Sequence, residues 1–439
     1  MASPDPDEAL DSAATRCLSL LRRVASSPKL PPPLNASLRR LIAAELRSLL
    51  LRPRPLPCPL SSNLGHLEAV FHVVLHPAVH GVSRVARPLG PVPVHVDVAC
   101  SLRRAPAWVF VSDRNPSRVS WRGSPGERGR GVRARVAEAL AAARAAARAL
   151  RPEKLLFVFA RGVGDGVAGG LVEEFGAAEI GFFDDLEVFE ELDSGWMGVR
   201  MVDSELLQWA ESRKPRVFEI DIRGEFVDVR DRASSSVNLN LKDEEELDLS
   251  DPFSSLISKI RPNCTSSENV INFDTTAMIA LVSGISNGGA EQLLKGSENE
   301  MRARFKSNYD FVIMQAKSEL QHPILPELEN VIAGKKGIVC QSVCSEFKEI
   351  ASMCGGPSEK IRADKLVKRL LVVPDSPSMR LMDLPTTRKL ALKNKIVFGT
   401  GDHWRAPTLT ANMGFVRAVS QTSMSLLTIE HRPRALIGI

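Results

Sequence analysis

Two α/β domains joined by an acidic linker are the architecture this sequence predicts, and three observations predict it. The chain has 439 residues, beyond the roughly 250–300 residues at which a single hydrophobic core stops growing. Short apolar segments of strand length alternate with helix-periodic segments in both halves, the pattern of sheets flanked by helices. Between them the composition shifts to Ser234-Ser235-Ser236 and Asp243-Glu244-Glu245-Glu246, too poor in apolar side chains to order itself. The expected organisation is an N-terminal α/β domain over 1–228, an acidic, Ser-rich linker over 229–262, and a C-terminal domain over 263–439. The last should hold a parallel sheet flanked by helices.

In the N-terminal domain, Leu10, Ala14, Cys17, Leu18 and Leu21 recur at helical spacing, and Leu38 to Leu51 repeats the pattern after Pro31-Pro32-Pro33. Two amphipathic helices follow from that. Beyond the proline-rich stretch from Arg52 to Pro59 the period changes. Val70 to Leu75, Val92 to Ala99 and Trp108 to Ser112 are valine-rich runs bounded by Pro, Gly and Arg, which predicts strands. Ala and Arg dominate Arg133 to Leu150, both strong helix formers. Leu155 to Ala160 reads as a buried strand, Gly170 to Phe175 as part of a helix, and Ala178 to Phe183 as another strand.

In the C-terminal domain the apolar segments are Val270 to Phe273, Thr275 to Val282, Phe311 to Met314, Gly337 to Cys340, Ser345 to Met353, Leu370 to Val373 and Ile396 to Gly399. Their alternation predicts parallel strands joined by helical crossovers.

Composition excludes several classes. With 44% hydrophobic and 25% charged residues, the chain matches a globular protein and not a fibre or a disordered tail. Its formal net charge of +5 is small for this length, so nucleic-acid binding would need a local basic surface. Basic residues gather between Arg122 and Lys154, including Arg128, Arg130, Arg133, Arg135, Arg144, Arg148 and Arg151, where the plainer reading is a solvated helix face. Seven scattered cysteines without CxxC pairs argue against a disulfide framework and against a zinc module. The acidic start (Asp5, Asp7, Glu8) is unlike an export signal, and no stretch of about 20 apolar residues exists to span a membrane. The expected location is cytoplasmic, nuclear or both.

Three acids stand out. Asp274 directly follows the apolar run Val270-Ile271-Asn272-Phe273, and Asp402 follows Lys395-Ile396-Val397-Phe398 within Gly399-Thr400-Gly401-Asp402. Glu346 begins the helix after the strand Gly337 to Cys340. Ligands of open α/β sheets bind beyond the carboxyl ends of the strands, so Asp274, Glu346 and Asp402 are expected to share one cleft. Three free carboxylates in one place raise each other's pKa unless a cation compensates them. Mg²⁺ or Mn²⁺ suits hard oxygen ligands, and such an ion can orient a water and stabilise charge developing on a phosphate. Set against this, Asp274 and Asp402 would serve equally as helix N-caps and Glu346 as a solvated helix residue. Lys393, Lys395, Arg405 and Arg417 are nearby candidates for phosphate contacts, although surface cations are usually just solvated.

The segment Val270-Ile271-Asn272-Phe273-Asp274-Thr275-Thr276, the central Glu346 and Thr400-Gly401-Asp402 resemble the PIN-like ribonuclease superfamily. Ile396 to Asp402 and Pro407 to Arg417 resemble an uncharacterised eukaryotic two-domain family, domain of unknown function 1308, and the whole chain looks like a member. The resemblance implies a PIN-like C-terminal domain in which Asp274 matches the first acid, Glu346 the second, and Asp402 the acid preceded two positions earlier by a hydroxyl residue, here Thr400. It further implies Mg²⁺ or Mn²⁺ on Asp274, Glu346 and Asp402, and single-stranded RNA as a ligand or substrate. The family pattern also has an Asp on the helix before the last strand, where this chain reads Leu384-Pro385-Thr386-Thr387-Arg388-Lys389-Leu390. No acid stands there, and Asp383 lies just upstream. Two functions follow: a metal-dependent RNA-binding protein or ribonuclease, and a catalytically inactive PIN-like scaffold for protein partners.

Two N-terminal motifs carry weaker expectations. Gly164-Asp165-Gly166-Val167-Ala168-Gly169 is formally the GxGxxG dinucleotide fingerprint, with Asp184 twenty residues on, but glycines of a turn explain it as well. Val94 to Ala99 followed by Trp108 to Val111 vaguely resembles the central strands of a restriction-endonuclease-like core. That site needs an acid-x-Lys on the second strand, which Val109-Phe110-Val111 lacks. Asp97 is therefore read as a strand residue with a local partner, and His66, His72, His76 and His80 as decoration of a strand and its loop.

Overall fold

The computed structural model describes residues 6–54, 60–86, 89, 94–123, 131–184, 204–223, 251–261 and 269–438. Described residues up to Arg223, together with 420–426, form one compact unit. Those from Asp251 onward, apart from 420–426, form a second.

The first unit is a six-stranded mixed sheet in the order β1-β2-β3-β4-β6-β5. Its strands are β1 (Val79–Val85), β2 (Val98–Leu102), β3 (Ala105–Ser112), β4 (Lys154–Phe159), β5 (Ala178–Ile180) and β6 (Arg216–Asp221). β3 and β4 run parallel, and every other neighbouring pair is antiparallel. Alternate residues serve opposite faces, as a pleated strand requires. Val109, Val111, Leu156 and Val158 join the core under the helices Pro6–Ser26, Pro32–Leu50 and Leu64–Leu75. Trp108, Phe110, Leu155 and Phe157 join the core under Val132–Ala145 and Asp165–Phe175.

One strand expected here is a helix. Val70 to Leu75 forms the second half of Leu64–Leu75, with Ala69, Val70, Phe71, Val73 and Val74 all buried. Periodicity fails for such a run because it is apolar on every side. The edge strand β1 and the strand β6, which lies between β4 and β5, are not predicted, since their burial is patchy. Most of the expected linker, 229–250, lies outside the described residues, as do Val92, Arg128 and Arg130. Its last part is not linker at all. Pro252–Ser258 is a helix capped by Asp251, and it buries Phe253, Leu256 and Ile257.

The second unit has a five-stranded sheet in the order β11-β10-β7-β8-β9, parallel throughout. The strands are β7 (Val270–Phe273), β8 (Lys336–Cys340), β9 (Leu371–Val373), β10 (Thr408–Thr410) and β11 (Thr428–Glu430). The chain moves outward from β7 through β8 to β9, then returns to the other side of β7 for β10 and β11. Strand order therefore reverses between β7 and β10, which opens a crevice at their carboxyl ends.

The strand expected at Ile396 to Gly399 is instead part of the helix Leu392–His403, which immediately precedes β10. Its glycines show why so apolar and glycine-rich a segment is helical. A Cβ on Gly401 would lie 2.4 Å from Thr408 Oγ1 and 2.9 Å from Asn272 Nδ2, and one on Gly399 would lie 3.0 Å from Pro377 Cα. The small residues let the helix press onto β7 and β10, and that packing outweighs their poor helix propensity.

Candidate functional site

Asp274 leaves the carboxyl end of β7 and caps the helix Thr275–Val282, where its Oδ1 accepts from Ala277 N at 2.8 Å and from Thr276 Oγ1 at 2.7 Å. Its Oδ2 accepts from Thr410 Oγ1 at the end of β10. Thr276 Oγ1 in turn accepts from Ala411 N at 2.8 Å, so the two sides of the crevice are stitched together. The residue is 5% exposed. Burial pushes its carboxyl above the usual range against the opposing pull of Thr410, Thr276 and Ala277. His431, just past β11, is near enough for the two charges to interact, and burial pushes its imidazole down. His431 Nδ1 meets Arg432 O at 2.9 Å, while its buried Nε2 makes no hydrogen bond among the described residues.

Glu346 faces the same crevice from the helix Gln341–Cys354, which follows β8. Its Oε2 accepts from Thr275 Oγ1 at 2.9 Å, and Thr275 is the chain neighbour of Asp274. Its Oε1 forms an ion pair with Lys393 Nζ. Lys393 stands in the first turn of Leu392–His403. The acid expected on the helix before β10 is thus answered in space by a lysine, whose charge opposes that of Glu346.

Thr400 and Asp402 are elsewhere. They sit in the last turn of Leu392–His403, and Gly401 O accepts from Ala406 N at 2.8 Å as the chain turns into the amino end of β10. That is the edge opposite the one where Asp274 and Thr410 meet. Asp402 accepts from Ser378 Oγ at 2.5 Å and pairs with Arg380 at 3.5 Å. Among the described residues it shares no hydrogen-bond or ion-pair partner with Asp274 or Glu346. Thr400 is fully buried, donating to Ile396 O at 2.8 Å and accepting from Ser376 N at 3.2 Å. The hydroxyl-x-acid pattern at a strand's carboxyl end falls on Thr410-Ala411-Asn412 instead. There the third residue is an amide, and Asn412 Oδ1 accepts from Phe415 N at 3.2 Å at the start of the helix Met413–Gln421.

A divalent ion does not fit this arrangement. Both oxygens of Asp274 accept internal hydrogen bonds, Glu346 is neutralised by Lys393, and Asn412 carries no charge. Among the described residues no group of three or more His, Cys, Asp or Glu side chains is placed to hold a metal ion. Without a third acid the like-charge repulsion that would demand a cation is absent.

The other candidates are largely structural. Lys395 is 1% exposed, with Nζ donating to Leu384 O and to Thr386 Oγ1 at 2.9 Å. Asp383 is an exposed C-cap. His76 is buried against Phe182, and desolvation lowers its pKa to about 3. Asp97 has local partners: Oδ2 accepts from Val111 N at 2.7 Å, and Oδ1 meets His66 Nε2 at 3.1 Å and His95 Nε2 at 3.4 Å. Gly164 caps the helix Asp165–Phe175, where a Cβ on Gly164, Gly166 or Gly169 would meet nothing within 4 Å. No close backbone approach requires glycine there. Cys340 and Cys344 are buried free thiols and Cys354 an exposed one.

From sequence Lys393 is a candidate only for a phosphate contact, Thr410 and Asn412 enter only within the family-like stretch Pro407 to Arg417, and nothing singles out His431. The signal for Thr410 and Asn412 was a hydroxyl-x-amide after a short apolar run, hidden because Thr400-Gly401-Asp402 offers the same spacing with an acid. No helix among the described residues is long and apolar enough to cross a membrane. No solved structure matches the chain significantly. Residues 271–438, which span the parallel sheet and its crevice, match a family described as protein of unknown function (DUF1308), so the chain carries a DUF1308 domain.

Proposed function

We propose that the domain over 271–438 is a PIN-like module that has lost metal-dependent cleavage and acts as a scaffold for protein partners. The observation that carries this reading is the Lys393–Glu346 ion pair at the crevice, with Asn412 in place of an acid at the end of β10. Phosphodiester hydrolysis by metal-activated water needs a cluster of negative oxygens to fix the ion, and here a cation and an amide replace two of them. Asp274 keeps a structural task as the N-cap that ties β7 to β10. Phe311 and Met314, 56% and 69% exposed one turn apart on the helix Tyr309–Gln321, favour a protein surface over a polyanion as partner.

The test is incubation of the full-length protein with labelled single-stranded RNA and Mn²⁺, alongside Asp274→Asn and the double variant Lys393→Asp/Asn412→Asp. The expected result is no metal-dependent cleavage by wild type, with calorimetric Mn²⁺ binding gained only by the double variant. Mn²⁺-dependent cleavage by wild type that disappears in Asp274→Asn would overturn the reading.

A further inference from the structure

Residues 431–438 lie in neither a helix nor a strand. All five strands of the second unit's sheet precede them, so the sheet is complete without this segment. It is held instead as a bound peptide is held, by side chains that reach its backbone. Ala435 N donates to Gln315 Oε1 at 2.7 Å, and Ser283 Oγ donates to Ala435 O at 2.6 Å. Ile437 N and Gly438 N donate to the Glu359 carboxylate at 3.0 Å each, and Arg304 donates to Ile437 O. These partners lie in, or cap, four different helices: Thr275–Val282, Glu298–Phe305, Tyr309–Gln321 and Pro357–Arg369.

Two side chains of the segment are recognised individually. Arg434 Nε donates to Glu319 Oε2 at 2.7 Å, and both residues are buried. Three residues on, Ile437 enters a socket walled by glycine: a Cβ on Gly284 would lie 2.8 Å from Ile437 Cγ1, and one on Gly289 would lie 3.2 Å from its Cδ1. Leu293, Val312 and Ala316 complete the apolar cluster around it. An acid for a guanidinium, a fitted socket for a branched aliphatic chain, and side-chain partners for an extended backbone are the parts of a site that reads a linear motif.

The fit is incomplete at one place. Gln315 is 5% exposed, and because its Oε1 accepts from Ala435 N the orientation of the amide is fixed. Its buried Nε2 then finds no acceptor among the described residues, a state that costs free energy. The residue beside it, Ala435, offers only a methyl group. A serine at that position would place a hydroxyl oxygen one bond beyond Cβ, where it can accept from Nε2. The resident segment is therefore not the best ligand the groove admits. Phe311, exposed, continues the stripe of Gln315 and Glu319 at a spacing of four on one helix face.

We propose that this groove is the receptor for a linear motif of a partner protein, reading arginine, a hydroxyl residue, any residue, an aliphatic residue and glycine, and that Arg434–Gly438 fills it in cis until such a segment displaces it. The proposal rests on the scaffold reading for its protein partner. The groove meets Thr275–Val282 at the end opposite Asp274, however, so the Mn²⁺ and RNA assays and this one fail separately. The probes are fluorescein-labelled peptides of residues 431–439, with the native sequence and with Ala435→Ser, titrated by anisotropy with full-length wild type and full-length Ile437→Asp. Aspartate is expelled from the apolar socket, so Ile437→Asp should bind either peptide at least about tenfold more tightly than wild type, whose tethered segment competes. The Ala435→Ser peptide should bind about three- to tenfold more tightly than the native one, the worth of one recovered hydrogen bond. In wild type, saturating Ala435→Ser peptide should speed hydrogen exchange at the protein's own Ile437 and Gly438, a readout that stands even where Ile437→Asp does not fold. The proposal fails if neither protein binds, if both bind equally, if Ala435→Ser gains nothing, or if wild-type exchange at Ile437 and Gly438 is unchanged at saturation. It also fails if wild type sediments as a dimer that Ile437→Asp dissociates, since a second copy is then the occupant.

Discussion

Glu359 offers the sharpest test of how the second unit is held together. Its side chain is fully buried and accepts four backbone N–H groups: Gly284 at 2.7 Å and Ile437 at 3.0 Å on Oε1, Gly356 and Gly438 at 3.0 Å each on Oε2. One carboxylate thereby fastens the turn after Thr275–Val282, the start of the helix Pro357–Arg369, and the C-terminal tail. Replacing it by Ala strands all four donors. Ile437 and Gly438 can reach water if the tail frays, but Gly284 and Gly356 cannot without opening the domain. Each buried unsatisfied donor costs about 1–3 kcal/mol, so Glu359→Ala is expected to lose about 2–6 kcal/mol. That is a large part of the roughly 5–15 kcal/mol that holds a domain folded. Glu359→Gln keeps one acceptor but turns an NH₂ toward two donors, so it should lose nearly as much. Urea unfolding measures the loss, and hydrogen exchange at 435–438 reports the tail. As a control, Glu291→Gln removes an exposed pair with Lys295 and should shift stability by less than about 0.5 kcal/mol. A Glu359→Gln protein within that same margin of wild type, with its tail still protected, would refute the reasoning.

Other perturbations have equally definite signs. Burial raises the Asp274 carboxyl, so the folded state keeps that proton over a pH range where the unfolded chain has lost it, and stability falls as pH climbs through that range. Asp274→Asn removes the dependence and retains a capping oxygen; at pH 7 its Tm should equal or exceed that of wild type, and a fall of more than about 4 °C, roughly 1 kcal/mol or more, would contradict this. Burial works against the charge of Asp97, but hydrogen bonds from His66 and His95 prevail and hold its pKa down at about 2. Its contribution is therefore present above the ordinary carboxylate range and lost as pH falls through about 2, so the stability gap between wild type and Asp97→Ala in urea titrations should be widest near neutrality and close in acid. Arg434 pairs with Glu319 at 2.6 Å with side chains 1% and 8% exposed. Arg434→Met should destabilise by about 3–5 kcal/mol, and adding Glu319→Gln should recover part of it in a double-mutant cycle; additive losses would mean the pair is not coupled.

The fold class was legible because burial writes period-two and period-3.6 patterns directly into the chain. β4, β7 and β8 match their expected bounds within a residue or two, whereas β3 and the helix Pro32–Leu50 begin three and six residues ahead of the expected segments. Failures came where a segment is apolar all round. Val70 to Leu75 and Ile396 to Gly399 have β-branched and glycine-rich composition, and only the space available between helix and sheet selects their helical state.

At the candidate site, sequence alone located Asp274 at the end of one strand and Glu346 on the helix after the next strand, because both positions depend on local order along the chain. Which further residues join them was settled by topology. A helix that returns antiparallel to its strands carries its last turn, and so Asp402, to the opposite edge, while its first turn brings Lys393 to Glu346. Electrostatic character depends on which side chains meet in space, and a spacing of two residues before an acid recurs at Thr400-Gly401-Asp402 and, with an amide, at Thr410-Ala411-Asn412. The linear chain distinguishes these only by whether a strand or a helix precedes them, and tertiary packing makes that choice.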